Sequence, residues 1–110
     1  MSLNSKHTVI ALAAAAFVVL AWAQPVSAQQ GKTLFTQKGC PACHGPDGNT
    51  PLAPNYPKLK GQNAAYMEAQ IKSFKSGERK GGLSSLMAPM AATVTDVEAA
   101  TIAKWLETGK

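Results

Sequence analysis

Two cysteines and a histidine stand close together in the segment Cys40-Pro41-Ala42-Cys43-His44. Thiols at this spacing can form a redox-active disulfide, supply half of a zinc site, or hold a haem through two thioethers. The histidine that directly follows the second cysteine is a regular part of the third kind of site, where its imidazole binds the haem iron. The remainder of the chain must therefore distinguish between these three kinds of site.

The surrounding sequence argues against a redox or zinc site. A thioredoxin-like pair requires a strand before the first cysteine, and no strand pattern precedes Cys40. A closed zinc site requires four ligands, whereas Cys40, Cys43 and His44 are not accompanied by a second ligand pair. A plain disulfide is chemically allowed in an exported protein, but it leaves His44 without a role. The pattern therefore favours covalent haem attachment.

The first 28 residues have the features of an export signal. Lys6 precedes an almost wholly apolar run, and Val26-Ser27-Ala28 has the small-x-small pattern that signal peptidases cleave. An uncleaved membrane anchor is the alternative, although a bilayer span needs about 20 apolar residues. We expect residues 1–28 to be a cleaved signal peptide and residues 29–110 to form one domain. The mature protein would then lie in the periplasm without membrane insertion.

The charge balance limits the range of partners. The formal net charge of the whole chain is +5, and loss of Lys6 with the signal reduces it only slightly. No Arg-rich stretch and no alternation of aromatic and basic residues occurs, so nucleic acid is not expected as a partner. A mild positive charge fits docking to acidic protein surfaces, or solubility alone.

Three helices are predicted in the segments that position the motif. The first covers residues 31–38, with Leu34 and Phe35 facing inward, and the second follows Asn63 as the cap and ends at Gly77. The region between them contains five of the seven prolines, which predicts a turn-rich wrap. Residues 77–94 are predicted to be a second loop.

The third helix is predicted to begin at a capping box formed by Thr95 and Glu98. It carries an apolar stripe at helical spacing, consisting of Ala99, Ile102, Ala103 and Leu106. No segment alternates with the period of a strand, so the fold class is expected to be all-α. The mature part contains few aromatic residues, and such a small core needs an additional apolar group. A haem would supply that group.

Two segments, CPACHGPDGNTPLAPNYPKLKGQ and MAPMAATVTDVEAATIAKWLETG, resemble bacterial class I cytochromes c. The likeness extends to small single-haem periplasmic proteins and to one half of the dihaem periplasmic kind, and it covers nearly all of residues 31–108. It implies the class I cytochrome c fold, in which three or more helices surround one covalently attached haem c with its iron. In that fold the first and last helices cross beside the haem, so Gly31 and Phe35 would meet the last helix near Trp105.

The resemblance also implies how the haem is held. Cys40 and Cys43 would form the thioethers, and His44 would bind the iron through Nε2. The other ring nitrogen of a metal-binding histidine usually donates a hydrogen bond that fixes the ring. The carbonyl of Pro54 is the expected acceptor.

The second axial ligand is expected to be a methionine in the late loop. By the resemblance Met87 occupies the ligand position and Met90 is the alternative, whereas Met67 is expected to fill the core. The residues expected around the haem are Tyr56, Leu59, Leu86 and Trp105, of which Tyr56 or Trp105 would contact a propionate. Lysines either ring the exposed haem edge or simply cover a solvated surface, and they are Lys38, Lys58, Lys60 and Lys104.

Closing both axial positions of the iron leaves no place for a substrate, so an electron carrier is expected and not an enzyme. Its expected partners are periplasmic redox proteins such as a dehydrogenase, a membrane oxidoreductase or a terminal oxidase. The alternative is a haem c subunit bound permanently to a periplasmic dehydrogenase that oxidises a sulfur compound or an alcohol. A gas-binding protein with an open sixth position is disfavoured, because Cys40 lies near the mature N-terminus.

Overall fold

The computed structural model describes Ala16 and residues 28–109, and these described residues contain five α-helices. They are α1 (Ala28–Gln37), α2 (Pro41–His44), α3 (Ala64–Ser76), α4 (Ser84–Ala92) and α5 (Asp96–Thr108). No strand occurs among the described residues, and the all-α prediction is confirmed. Within this part of the chain, none of the helices combines the length and the hydropathy that crossing a bilayer requires. The predicted signal peptide lies outside the described residues except for Ala16 and Ala28.

The crossing of α1 and α5 organises the fold. A Cβ built on Gly31 would overlap the Cβ of Trp105 and lie 2.8 Å from the carbonyl oxygen of Thr101, so only glycine permits this approach. One turn later Phe35 is completely buried, and its ring centroid lies 5.2 Å from that of Trp105. The predicted meeting of Gly31 and Phe35 with the last helix is therefore confirmed.

Helix α5 begins as its sequence predicts. The backbone N–H of Glu98 donates to Oγ1 of Thr95, and the backbone N–H of Thr95 donates to a carboxylate oxygen of Glu98, at 3.2 and 3.1 Å. This reciprocal capping box satisfies backbone donors that the first turn would otherwise leave free. The predicted apolar stripe is buried on the face that packs against α1 and α3, and this burial supplies most of the stability of the helix.

Helix α3 also has the predicted ends. The side chain of Asn63 accepts a hydrogen bond from the backbone N–H of Tyr66 at 3.0 Å, and Gly77 ends the helix with a φ of +76°. Met67 is buried in the core, as predicted. Tyr66 is exposed. It precedes Met67 by one residue and so lies about 100° around the helix from it.

The prediction of a loop over residues 77–94 is wrong for its second half, which forms α4. A proline such as Pro89 usually breaks the interior of a helix. Here Pro89 is tolerated within nine residues that are otherwise rich in Leu, Met and Ala, which favour helix. The only buried residue of α4 is Ala91.

The core is small and lies between α1, α3 and α5. Its members are Phe35, Met67, Val94, Ala99, Ile102, Ala103, Trp105 and Leu106. Two of these eight side chains are aromatic and two are alanine, which agrees with the expectation of a core that is small for the length of its loops.

Candidate functional site

Cys43 and His44 lie on one short helical turn, α2, and Cys40 is the residue that directly precedes it, at its N-cap. The backbone N–H groups of Cys43 and His44 both donate to the carbonyl of Cys40, at 3.3 and 3.0 Å. Pro41 occupies the first position of the turn, where no backbone donor is needed. Residues three and four apart share one face of a helix, so Cys40 shares a face with Cys43 and also with His44. The sequence prediction placed this segment in an irregular wrap, and the structure corrects that.

Both cysteines are half-buried free thiols that are not bonded to each other. Burial raises the pKa of the Cys40 thiol, because removal from water disfavours the thiolate. The pair therefore offers two unbonded thiols, as attachment to two vinyl groups requires.

His44 is buried, and its ring orientation is fixed by the following loop. Nδ1 of His44 lies 2.8 Å from the carbonyl oxygen of Pro57. A carbonyl can only accept, so Nδ1 must carry the proton, and Nε2 keeps the lone pair that a metal ion needs. The prediction that the carbonyl of Pro54 is the acceptor is therefore wrong, and the acceptor is the carbonyl of Pro57, three residues later. A turn in which the N–H of Tyr56 donates to the carbonyl of Ala53 at 3.1 Å reverses the chain here and brings Pro57 to His44.

The wrap after the motif is held at close range by Gly48. The carbonyl of Gly48 accepts from the N–H groups of Leu59 and Lys60, at 2.9 and 3.0 Å. A Cβ built on Gly48 would lie 2.7 Å from Cδ2 of Leu106, and its φ is +74°. Glycine is thus required twice here, for space and for backbone conformation. The close approach of Gly48 to Leu106 places the loop that follows the motif against α5.

Large apolar side chains are exposed beside the motif. Leu52 is 66% exposed, and its backbone N–H donates to the carbonyl of Cys43 at 3.1 Å. Met90 is 38% exposed, yet its methyl group lies 3.2 Å from the position of a Cβ built on Gly39, next to Cys40. Apolar surface of this kind suits contact with the faces of a haem. Two thiols could attach that group, and an imidazole with a free Nε2 could bind its iron. The residues present therefore fit the group that the motif predicts.

Both candidate methionine ligands lie on α4. Met87 and Met90 are three residues apart and share a helix face. Met87 is half-buried, whereas the end of Met90 packs beside Gly39. The fold thus brings the methionine-bearing helix next to the attachment turn.

The other residues predicted around the haem have different surroundings. Tyr56 lines a shallow depression of about 510 Å³ together with its neighbours Pro51, Leu52, Ala53, Pro54, Pro57 and Lys58. Leu59 packs on the core near Gly48, and Leu86 is exposed on α4. Trp105 is buried in the α1–α5 interface, so its side chain is committed to packing between the helices.

Lys38 is not a freely exposed surface lysine. Its Nζ lies 2.8 Å from a carboxylate oxygen of Glu98 and donates to the carbonyl of Thr93 at 2.9 Å. The Lys38 ammonium and the backbone N–H of Thr95 hold the pKa of Glu98 at about 2. The sequence analysis did not pair Lys38 with Glu98, although Lys38 directly follows α1 and Glu98 lies in the first turn of α5, and the predicted crossing of these helices brings the two positions together.

The other three predicted lysines lie at the surface. Nζ of Lys60 lies 3.7 Å from a carboxylate oxygen of Asp47. Lys58 and Lys104 are exposed.

Comparison with known proteins identifies this arrangement. The family model described as cytochrome c matches residues 28–110. Cytochrome c-554(548) of Halomonas halodenitrificans is 52% identical over 66 residues, which are 60% of this chain and 78% of that protein. The thiosulfate dehydrogenase electron acceptor of Thiomonas intermedia is 47% identical over 73 residues, 64% of this chain and 33% of that protein.

A solved structure shares the fold. Thiosulfate dehydrogenase from Marichromatium purpuratum superposes with a TM-score of 0.62 at 28% identity, over 74% of this chain and 18% of that one. The match is thus to one part of a much longer protein.

Proposed function

This chain belongs to the cytochrome c family, and we propose that Cys40 and Cys43 bind its haem while His44 and Met87 are the axial iron ligands. As a member of that family it transfers electrons by means of one covalently attached haem c. The bound haem supplies a one-electron iron couple. The chain's own residues attach, orient and enclose it.

The hydrogen bond between His44 and Pro57 is the observation that carries the proposal. It fixes the ring tautomer and leaves Nε2 as the only ring nitrogen with a free lone pair. The ring as a whole is buried, so the surrounding residues hold it in this orientation. The cysteines on the same helical turn would attach the haem above this nitrogen.

Met87 is the proposed second axial ligand, with Met90 as the alternative. The resemblance favours Met87, and the packing of the Met90 methyl group beside Gly39 agrees with a supporting role for Met90. A thioether ligand raises the reduction potential, and two occupied axial positions exclude substrate from the iron. Both effects support a carrier and not an enzyme.

We place the protein in the periplasm, where it would accept electrons from a dehydrogenase and pass them to a membrane oxidoreductase or a terminal oxidase. The name of the Thiomonas relative supports thiosulfate dehydrogenase as a donor. The exposed Lys58 and Lys104 and the positive net charge would favour an acidic docking surface.

A permanently bound haem subunit is the second candidate. It is supported by the structural match to part of a thiosulfate dehydrogenase chain. Co-purification from the native periplasm separates the two: a carrier elutes alone on gel filtration, and a subunit elutes with a dehydrogenase.

Absorption spectra of the Fe(III) protein test the ligand assignment. The chain should be produced with a haem-maturation system as wild type, Met87→Ala and Met90→Ala. We expect the iron–sulfur charge-transfer band in the wild type and in Met90→Ala, and its loss in Met87→Ala together with rapid cyanide binding. Loss of the band only in Met90→Ala would reverse the assignment. A wild type without covalent haem would refute the proposal as a whole.

A further inference from the structure

Lys38 joins the haem-attachment turn to the helix that carries both candidate methionines. It stands two residues before Cys40, and its ammonium donates to the main-chain carbonyl of Thr93 at 2.9 Å. Thr93 directly follows α4 as its C-cap. Its hydroxyl and backbone N–H both donate to the carbonyl of Met90, at 2.8 and 3.1 Å. A short series of hydrogen bonds therefore connects Lys38 to the backbone of the methionine turn.

Glu98 holds the ammonium in place for this contact. One carboxylate oxygen of Glu98 lies 2.8 Å from Nζ of Lys38, and the other accepts the N–H of Thr95 in the capping box. The side chains of Lys38 and Glu98 are only 24% and 21% exposed. Such partial burial reduces competition from water and salt relative to a fully exposed pair.

The opposite end of α4 has no comparable anchor. Gly81 and Gly82 precede the helix, and a Cβ on either would meet no heavy atom within 4 Å. No side-chain hydrogen bond caps the first turn, and Pro89 removes one backbone donor from the interior. Ala91 is the only buried residue of α4. The helix packs against α3, and its C-terminal end is in addition tied to the attachment turn through Thr93.

From these contacts we propose that Lys38 is a positioning residue, which fixes α4 against the attachment turn and so keeps the methionine sulfur at the iron. This inference rests on the proposed methionine ligation. Removing Lys38 should leave the thioethers and His44 in place but loosen the methionine side of the site.

The test measures how fast imidazole displaces the methionine in the Fe(III) protein, followed by loss of the iron–sulfur charge-transfer band. The variants are Lys38→Leu, Lys38→Arg, Glu98→Gln and Lys75→Leu. Leucine cannot bind iron, so no new ligand is introduced. Lys75 is the matched control, since its Nζ lies 3.7 Å from Asp96 in the first turn of α5 and the ion pair does not include α4.

We expect imidazole to react about tenfold faster with Lys38→Leu, because a hydrogen bond from a charged donor is lost. Lys38→Arg should stay near the wild-type rate, since it keeps both charge and donors. Lys75→Leu should also react near the wild-type rate, even if its midpoint of thermal unfolding falls as much as that of Lys38→Leu. Glu98→Gln should accelerate the reaction less than Lys38→Leu, because the bond to Thr93 remains.

Three results would overturn the inference. The first is that imidazole reacts with Lys38→Leu at the wild-type rate. The second and third are that Lys75→Leu or Glu98→Gln reacts as fast as Lys38→Leu. The last of these would assign the effect to the ion pair with α5 and not to the bond with α4. A wild type that lacks the charge-transfer band would instead refute the proposed ligation, so the two failures are distinguishable. If Lys38→Leu does not retain haem, the comparison of Glu98→Gln with Lys75→Leu decides, and equal rates in those two variants would refute the role.

Discussion

Replacing Gly31 with alanine should destabilise the protein, although alanine is the better helix former. The added Cβ would overlap the Cβ of Trp105 and approach the carbonyl oxygen of Thr101 to 2.8 Å. Neither atom can turn away, since one is a backbone oxygen and the other is fixed to the backbone of α5. Overpacking of this kind costs up to about 3 kcal/mol, and the helix propensity of alanine returns about 1 kcal/mol. A net loss of about 2 kcal/mol in the free energy of unfolding follows from these two values.

Thermal and guanidinium unfolding of the haem-loaded protein measure this loss. For a domain of this size, 2 kcal/mol corresponds to a fall of roughly 8–16 °C in the unfolding midpoint. Lys32→Ala, at an exposed position of the same helix, is the control and should change the free energy of unfolding by less than about 0.5 kcal/mol. A Gly31→Ala protein as stable as the wild type, or more stable, would show that α1 and α5 are not in the contact described.

Three further results are expected. The free energy of unfolding should fall as the pH decreases from about 4.5 to about 2, because the contacts that lower the pKa of Glu98 stabilise the fold only while its carboxylate is ionised. Unfolding measured across that pH range should show a weaker pH dependence for Glu98→Gln. Gly48→Ala should be more destabilising than Gly77→Ala by about 1–3 kcal/mol in chemical unfolding, because both have nearly the same positive φ but only the first meets a side chain, at 2.7 Å; equal losses would refute the steric argument. Arg79→Met should cost about 0.5–1 kcal/mol in the same assay, since the guanidinium lies 4.5 Å from the ring centroid of Phe74; no change would mean that the contact is not stabilising.

The parts of the fold that the sequence predicted depend on neighbouring residues. Asn63 caps the helix that follows it, and Thr95 and Glu98 form a capping box within a single turn. The apolar stripe of α5 repeats at helical spacing, so its buried face could be assigned without knowledge of its partner. The attachment motif was likewise readable because its chemistry lies within five residues.

The features that were predicted wrongly depend on contacts between distant residues. Which proline carbonyl meets His44 is decided by the turn at Ala53–Tyr56, and both Pro54 and Pro57 have the required fixed φ. The role of Lys38 requires that α1, α4 and α5 converge, a contact that spans 55 residues between Lys38 and Thr93. Helix α4 combines one internal proline with neighbours that favour helix, and its own sequence does not show which of these opposing preferences prevails.

The crossing of α1 and α5 has a consequence for modularity. Gly31, near the start of the domain, touches Thr101 and Trp105, near its end, so the polypeptide enters and leaves at the same place. The attachment turn and the methionine helix lie between these two elements in the chain. A further domain can therefore be joined at either end without passing through the haem-binding loops. Such an arrangement suits a unit that recurs as one part of longer proteins, as in relatives where the matched segment is 33% and 18% of the chain.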